Sequence, residues 1–267
     1  MDQKRVKELA QDERWISGIY NYCDRWCERC PQTSRCLNYA MGEEESGDPE
    51  TRDIRNEAFW KNLEGMFHVT IELLRERAAQ EGIDLEELDL DEAEEQERLW
   101  RETAENYGIC RAGKSYTDMA ERWFDAAEPF FGPEEETGPA RGPVGRDGKS
   151  PETSDLEDAL EVVRWYQHQI YVKLMRAVHG LLKEDPEPAD AIYQHAKDSD
   201  GSAKVALIGI DRSIAAWGII RNQFPYHDRE ILAILAHLDR LRGKVEETFP
   251  RARGFLRPGF DEIPLNG

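Results

Sequence analysis

Residues 203–223, with the sequence AKVALIGIDRSIAAWGIIRNQ, are apolar over most of the circumference that a helix would present. A helix of this kind is surrounded by other elements, so the segment predicts the central helix of the fold. Gly209 and Gly218 lower its helix propensity, which indicates that a neighbouring helix approaches closely at these positions. The segment therefore predicts an all-α fold, an irregular multi-helix bundle built around it.

The rest of the chain also follows helical periodicity, and no segment shows the alternation typical of strands. The further predicted helices cover residues 3–29, 54–81, 91–107, 115–128, 154–183 and 228–248. The buried face of helix 54–81 is predicted to contain Phe59, Leu63, Phe67, Ile71 and Leu74. Gly82 is expected to end that helix, and Ser154 with Glu157 has the form of a capping box that begins the next long one.

Composition divides the chain into four predicted segments. Residues 1–53 are expected to form a metal-binding helix followed by a loop from residue 38, and residues 54–128 one helical half of the bundle. Residues 129–153 are rich in proline and glycine, which is typical of a linker or of an excursion from one bundle. Residues 154–267 then form the other helical half.

The chain is strongly acidic, with 55 acidic and 35 basic residues and a net charge of −20. No basic surplus is present for phosphate contacts, so nucleic-acid binding of that kind is excluded. The same charge disfavours an anionic membrane surface, and no apolar run approaches the roughly 18 residues of a membrane span. We expect a cytoplasmic protein whose acidic surface could attract a basic protein partner.

Four of the five cysteines lie within one short segment, CDRWCERCPQTSRC. In a reducing compartment such clusters are metal ligands more often than disulfides. The predicted ligands are Cys23, Cys27, Cys30 and Cys36. The first three would share one face of helix 3–29, within an arc of about 60°. Pro31 disfavours the helical conformation at Cys30, so the chain is expected to leave the helix there and bring Cys36 back. Tyr22 and Trp26 are expected to shield the site.

Two metals suit four thiolates, and the spacing along a helix favours an iron–sulfur cluster such as [4Fe–4S] over zinc. Zinc requires sulfurs less than about 4 Å apart, whereas Cys23 and Cys30 would be about 10 Å apart on an intact helix. A cubane cluster is wider. The pattern Cys-x2-Cys-Pro-x4-Cys also resembles the cluster-binding segment of the RecB-like nuclease family, which implies an iron–sulfur cluster. The resemblance is confined to that segment, and no nuclease motif accompanies it.

A second, weaker metal site is suggested by two Glu–His pairs, each spaced by two helical turns. The pairs are Glu161 with His168 and Glu230 with His237. Carboxylates and histidines on facing helices bind metal pairs inside helical bundles. The alternative is that each histidine is a buried structural residue bonded to a backbone carbonyl. The Glu-x-x-His spacing of ferritin-like sites does not occur.

Asp211 is the most anomalous residue of the central helix, because burying a lone carboxylate is costly. Lys204 lies two turns earlier on the same face and could neutralise it; otherwise Asp211 lines a cavity.

The predicted metal site is compatible with two functions. An iron–sulfur protein would pass electrons to a redox partner or to a catalytic site containing Asp211, His168 and His237. Alternatively, zinc stabilises a non-enzymatic scaffold or protein-interaction module.

Overall fold

The protein is all-helical in a computed structural model that describes residues 3–45, 50, 53–85, 90–127, 151–183 and 189–261. No strand occurs in these ranges. The α-helices are α1 (Gln3–Ala10), α2 (Leu37–Glu45), α3 (Glu57–Glu81), α4 (Leu90–Asn106), α5 (Gly108–Ala127), α6 (Pro151–Leu182), α7 (Ala189–Gln223) and α8 (Asp228–Thr248). Within the described ranges, no helix is long and apolar enough to cross a membrane. The predicted linker, residues 129–153, lies outside the described residues except for its last three.

The chain divides into two compact units. The first contains residues 1–96 and 256–267, and the second contains residues 97–255. Residues 256–261 therefore belong to the same unit as residues near the N-terminus. A division of the sequence into consecutive segments cannot represent such a unit. The four segments proposed from composition stay predictions.

The second unit is a helical bundle in which four helices form a ring of neighbours. Helix α6 packs along α7, α7 against α8, α8 against α5, and α5 against α6. The predicted central helix is correct, because α7 has a run of buried residues along its length: Val205, Ala206, Leu207, Ile210, Ala216, Trp217 and Ile220. It begins earlier than predicted, at Ala189. Helix α6 also begins earlier, at Pro151, so Ser154 lies inside the helix and the predicted capping box is wrong.

An aromatic cluster fills one end of this bundle. The Trp217 indole packs edge-on against that of Trp123, with ring centroids 4.9 Å apart. Phe224 also packs edge-on against Trp123, with ring centroids 5.4 Å apart. The indole N–H of Trp217 donates to the hydroxyl of the fully buried Tyr116 at 3.2 Å. Edge-to-face pairs add to the area that these rings bury, so the cluster connects α5 to α7.

Gly209 and Gly218 of the central helix have different surroundings, and the predicted close approach of a neighbouring helix is correct only for Gly209. A Cβ on Gly209 would lie 2.9 Å from Tyr166 Cδ1 and 3.1 Å from Ile170 Cγ1. Helix α6 therefore approaches α7 closely at Gly209, as predicted. A Cβ on Gly218 would have no neighbour within 4 Å, so no close approach explains that glycine.

These two glycines form a matched pair for a stability test. Gly209→Ala is expected to lower the free energy of unfolding by about 1–3 kcal/mol, because α6 must shift to admit the methyl group. Gly218→Ala is expected to raise it by about 0.5–1 kcal/mol, because alanine is the better helix former. Urea denaturation followed by circular dichroism measures both. A stabilising Gly209→Ala would show that the helices separate at no cost.

The first unit contains α1 to α3 and a run of short turns between α1 and α2. The predicted single helix over residues 3–29 is wrong, because α1 ends at Ala10 and Gly18 has a left-handed conformation with φ 71°. The chain then makes 3₁₀ turns at Ile19–Asn21, Cys27–Arg29 and Thr33–Arg35. The predicted loop from residue 38 is also wrong as far as residue 45, where α2 lies.

Helix α3 matches its predicted extent, but its predicted buried face is wrong. The helix ends with Gly82 in a left-handed conformation with φ 70°, as predicted. However, Phe67 and Leu74 are 61% and 62% exposed, and Ile71 is 45% exposed. Periodicity identifies an apolar face, but it does not show whether another element covers that face.

Candidate metal centre

The four clustered cysteines lie at the ends of successive short turns. Cys23 follows the turn Ile19–Asn21, Cys27 begins the turn Cys27–Arg29 and Cys30 ends it. Cys36 ends the turn Thr33–Arg35, and its N–H donates to the Thr33 carbonyl at 3.2 Å. Each cysteine therefore occupies a point where the chain changes direction, not a position on one helix as predicted.

The Cys27–Cys30 spacing has a simple geometric explanation. The N–H of Cys30 donates to the carbonyl of Cys27 at 3.1 Å, which closes one 3₁₀ turn. Residues three apart in such a turn have eclipsed side chains, so both thiols project to the same side. Cys30 itself is extended, with φ −85° and ψ 123°, which is the conformation that Pro31 imposes on the preceding residue. The non-helical conformation predicted for Cys30 is therefore correct, although the chain does not leave an α-helix there.

All four cysteines line a single cavity that is open to solvent. Its other walls are aromatic and apolar residues, namely Ile19, Tyr20, Trp26, Tyr39 and Phe260, with Asp24, Arg25 and Thr33 between them. Ile19 and Trp26 are buried, and the four cysteines are half-buried. Trp26 lines the cavity as predicted. Tyr22 does not line it, and Tyr20 and Tyr39 take the place predicted for it.

The thiols influence one another electrostatically. Burial raises the pKa of Cys27 above its ordinary value of 9.0, and proximity to Cys23, Cys30 and Cys36 raises that pKa further. Burial also raises the pKa of Cys30, while the N–H of Gln32, 3.4 Å from the Cys30 sulfur, lowers it. Four thiolates this close together would repel one another, and a bound cation would offset that repulsion.

The four thiols surround the cavity without meeting at one point. Within the part of the chain that the structure describes, no three cysteine, histidine, aspartate or glutamate side chains converge closely enough to hold a single metal ion. The donor set is nevertheless that of a thiolate metal site, with an amide N–H directed at one sulfur. Metal binding by this segment stays a prediction.

The C-terminal segment covers one side of the cavity. The Gln32 side-chain amide donates to the Gly259 carbonyl at 2.8 Å, and Phe260 lines the cavity. The guanidinium of Arg257 binds Asp261 through two hydrogen bonds of 2.9 Å, which closes this segment on itself. Sequence reasoning missed this contribution, although the Pro-Gly pair before Phe260 is a turn signal.

The two histidines of the predicted second metal site lie next to groups outside that site. His237 Nε2 lies 2.8 Å from the Ala112 carbonyl oxygen, which is the structural alternative considered for it. The His168 side chain is 60% exposed, and its nearest carboxylate is Glu121, 3.8 Å away. Glu161 and Glu230 are also exposed. The two Glu–His pairs are therefore not brought together, and His168 is not the buried residue that its apolar neighbours in the sequence suggested.

Asp211 belongs to an ion-pair cluster on the surface of the bundle. Its carboxylate accepts a hydrogen bond of 2.5 Å from Arg253, and Arg242 lies 3.5 Å from it. Lys204, the predicted partner, instead donates to the carbonyls of Phe255 and Arg253 at 2.6 and 3.2 Å. The salt-bridge interpretation of Asp211 is thus supported with a different cation, and the cluster connects α7 to the turn Ala252–Gly254.

The fifth cysteine is chemically distinct from the other four. Cys110 is fully buried in the bundle, and burial raises its pKa to about 12. At pH 8 very little of its reactive thiolate is therefore present.

This difference predicts the pattern of thiol alkylation. In native, metal-free protein at pH 8, iodoacetamide is expected to modify the four clustered cysteines and to leave Cys110 unmodified. Cys110 should react only after unfolding, because both its burial and its raised pKa are then lost. Intact mass spectrometry counts the added groups, and peptide mapping locates them. Rapid native modification of Cys110 would contradict its buried position.

Comparison with protein families, with curated proteins and with solved structures finds no match to this chain. The centre is therefore interpreted from its own residues.

Proposed function

We propose that the first unit binds a metal through Cys23, Cys27, Cys30 and Cys36, and that an iron–sulfur cluster is the preferred occupant. The observation that carries this proposal is that four thiols from three successive turns line one cavity. Metal binding would require the thiols to lose protons and draw closer together. A bound cluster would supply one-electron transfer.

The preference for a cluster over zinc does not rest on helical spacing, because residues 11–36 are turns. It rests on the four-thiolate donor set and on the resemblance of Cys-x2-Cys-Pro-x4-Cys to the cluster-binding segment of the RecB-like nuclease family. The amide of Gln32 beside the Cys30 sulfur is the kind of contact that tunes a cluster's potential.

The protein's own residues would hold the group and limit its exposure. Trp26, Tyr20 and Tyr39 provide aromatic walls, and Phe260 closes one side. The mouth of the cavity stays open, so an electron partner could approach there. A net charge of −20 favours a partner with a basic surface.

The alternative is a zinc-stabilised scaffold without redox chemistry. This alternative is supported by the secondary structure of residues 11–36, which contain only short turns in which Ile19 and Trp26 are the buried hydrophobic residues. A structural zinc would contribute folding free energy to such a segment. Asp211, His168 and His237 each have a different hydrogen-bond partner, so we propose no catalytic site from them.

Anaerobic purification followed by element and sulfide analysis tests the proposal. A cluster predicts brown protein with broad absorption near about 400 nm, and iron and acid-labile sulfide in equal amounts. Colourless protein with one zinc per chain would support the scaffold and overturn the redox proposal. Protein that takes up neither metal, even after reconstitution with iron, sulfide or zinc, would overturn both.

A further inference from the structure

One residue at the cavity has an unfavourable backbone conformation. Arg25 has φ 60°, and it is the only residue other than glycine with a positive φ in the part of the chain that the structure describes. A side chain in this left-handed region clashes with its own backbone, and glycine avoids the clash. Such strain persists where the surrounding structure imposes it, and it concentrates at functional sites.

Hydrogen bonds of a tight turn explain the positive φ of Arg25, but the turn does not require arginine at this position. The Asp24 carboxylate accepts a hydrogen bond from the Trp26 N–H at 3.3 Å, and the Cys27 N–H donates to the Arg25 carbonyl at 3.0 Å. This tight turn reverses the chain between Cys23 and Cys27, so that both reach one cavity. Glycine would make the same turn without strain, and the chain nevertheless has arginine there.

The charge of Arg25 is also unusual in its surroundings. Its side chain is exposed and forms no hydrogen bond or ion pair with another described residue, although the sequence contains 55 Asp and Glu residues. By contrast, the Arg29 guanidinium stacks over Trp26 at 4.1 Å, and Arg257 is paired with Asp261. Arg25 lines the cavity together with the four thiols. Arg25 therefore adds a positive charge to the residues around the cavity in which negative charge would accumulate.

Four thiolates around either Zn²⁺ or an oxidised [4Fe–4S] cluster carry a net charge of about −2. In a protein of net charge −20, that anion needs local compensation. We propose that Arg25 is the counter-charge of the metal–thiolate centre, held beside it by the strained turn. This inference rests on the proposed function, and it assigns a role to a residue that does not ligate the metal.

Replacing Arg25 with glycine removes both the backbone strain and the positive charge, so it should stabilise the metal-free protein and weaken metal binding. Arg25→Gly is expected to raise the unfolding temperature of metal-free protein, because glycine relieves the strain. The same variant is expected to bind metal roughly 10- to 100-fold more weakly, the range for residues that support metal ligands. If a cluster is bound, its reduction potential should fall, because loss of a nearby positive charge disfavours adding an electron.

Competition with a chelator for zinc, or redox titration of the reconstituted cluster, measures the effect at the centre. Arg25→Lys keeps the charge and should retain most of the affinity. Arg29→Gln removes a nearby cation that does not line the cavity, and it should change the affinity by less than about threefold. Both are compared with wild type in calorimetry without metal.

The outcomes separate the two proposals. If wild type binds metal and Arg25→Gly binds it equally well, Arg25 is not the counter-charge, and the proposed function stands. If Arg29→Gln weakens binding as much as Arg25→Gly, the effect belongs to general surface charge and the inference is overturned. If wild type binds no metal under any condition, the proposed function fails and this inference fails with it.

Discussion

Replacing both Cys27 and Cys30 with serine is expected to abolish metal binding. The two thiols project from one 3₁₀ turn into the cavity, so their loss leaves only Cys23 and Cys36. Two thiolates cannot complete a four-ligand site, and a hydroxyl is a poor ligand for iron or zinc. Structural zinc in small domains contributes about 10–16 kcal/mol of apparent binding free energy, so occupancy should fall from nearly full to undetectable.

Metal analysis, sulfide analysis and absorption spectra of the purified variant measure this loss. Cys110→Ala is the matched control, because it also removes thiol but from the buried core of the other unit. It should keep full metal occupancy and lose only some stability. Metal retained at wild-type stoichiometry in the double serine variant would place the binding site elsewhere in the chain.

Gly259→Ala is expected to have the largest effect on the stability of the first unit. Gly259 has φ 75°, and a Cβ there would lie 2.7 Å from Ile16 Cδ1 and 3.0 Å from Ile19 Cδ1. The left-handed backbone and the overlap together are expected to lower the free energy of unfolding of this unit by about 2–4 kcal/mol. Hydrogen exchange of peptides from residues 3–45 reports on this unit separately from the bundle.

Gly82→Ala separates the two causes. Gly82 has a similar φ of 70°, but a Cβ there would have no neighbour within 4 Å. This control should therefore lower the free energy of unfolding by only about 1 kcal/mol, the cost of placing alanine in a left-handed backbone conformation. If both substitutions lowered the free energy of unfolding equally, Ile16 and Ile19 would move aside without cost, and the overlap at Gly259 would not contribute to the loss of stability.

The Gly259 variant also bears on the metal centre. The Gln32 side chain donates to the Gly259 carbonyl, and Phe260 lines the cavity. Displacing this segment would uncover one wall of the cavity without touching a thiol. Faster metal release from Gly259→Ala than from Gly82→Ala is therefore the result expected if the C-terminal segment protects the centre.

The bundle was predictable from sequence because the helical periodicity of its apolar residues is strong and recurs in several segments. Residues 203–223 are apolar on nearly all sides, and helix periodicity identifies such a segment wherever its neighbours lie. The end of α3 at Gly82 rests on a single residue whose backbone preference is local. These features needed no knowledge of distant contacts.

The N-terminal turns were not predictable in the same way. The spacing of Trp15, Ile19, Tyr22 and Trp26 fits a helical stripe, yet Gly18 is left-handed and the chain turns there. Ile19 and Trp26 are both buried, but as residues of separate turns. In a segment this short, periodicity cannot distinguish one helix from successive turns that bury the same side chains.

By itself, the sequence determined that the protein is helical, which helix is central, and that four cysteines share one short segment with Pro31 after the third. These properties depend on local backbone preference and on residue order. Only the tertiary structure decided that the four thiols line one cavity, that Gly259 and Phe260 cover its side, and that Asp211 pairs with Arg253. Those contacts join residues as far as 227 positions apart, and which distant groups meet depends on packing of the whole chain.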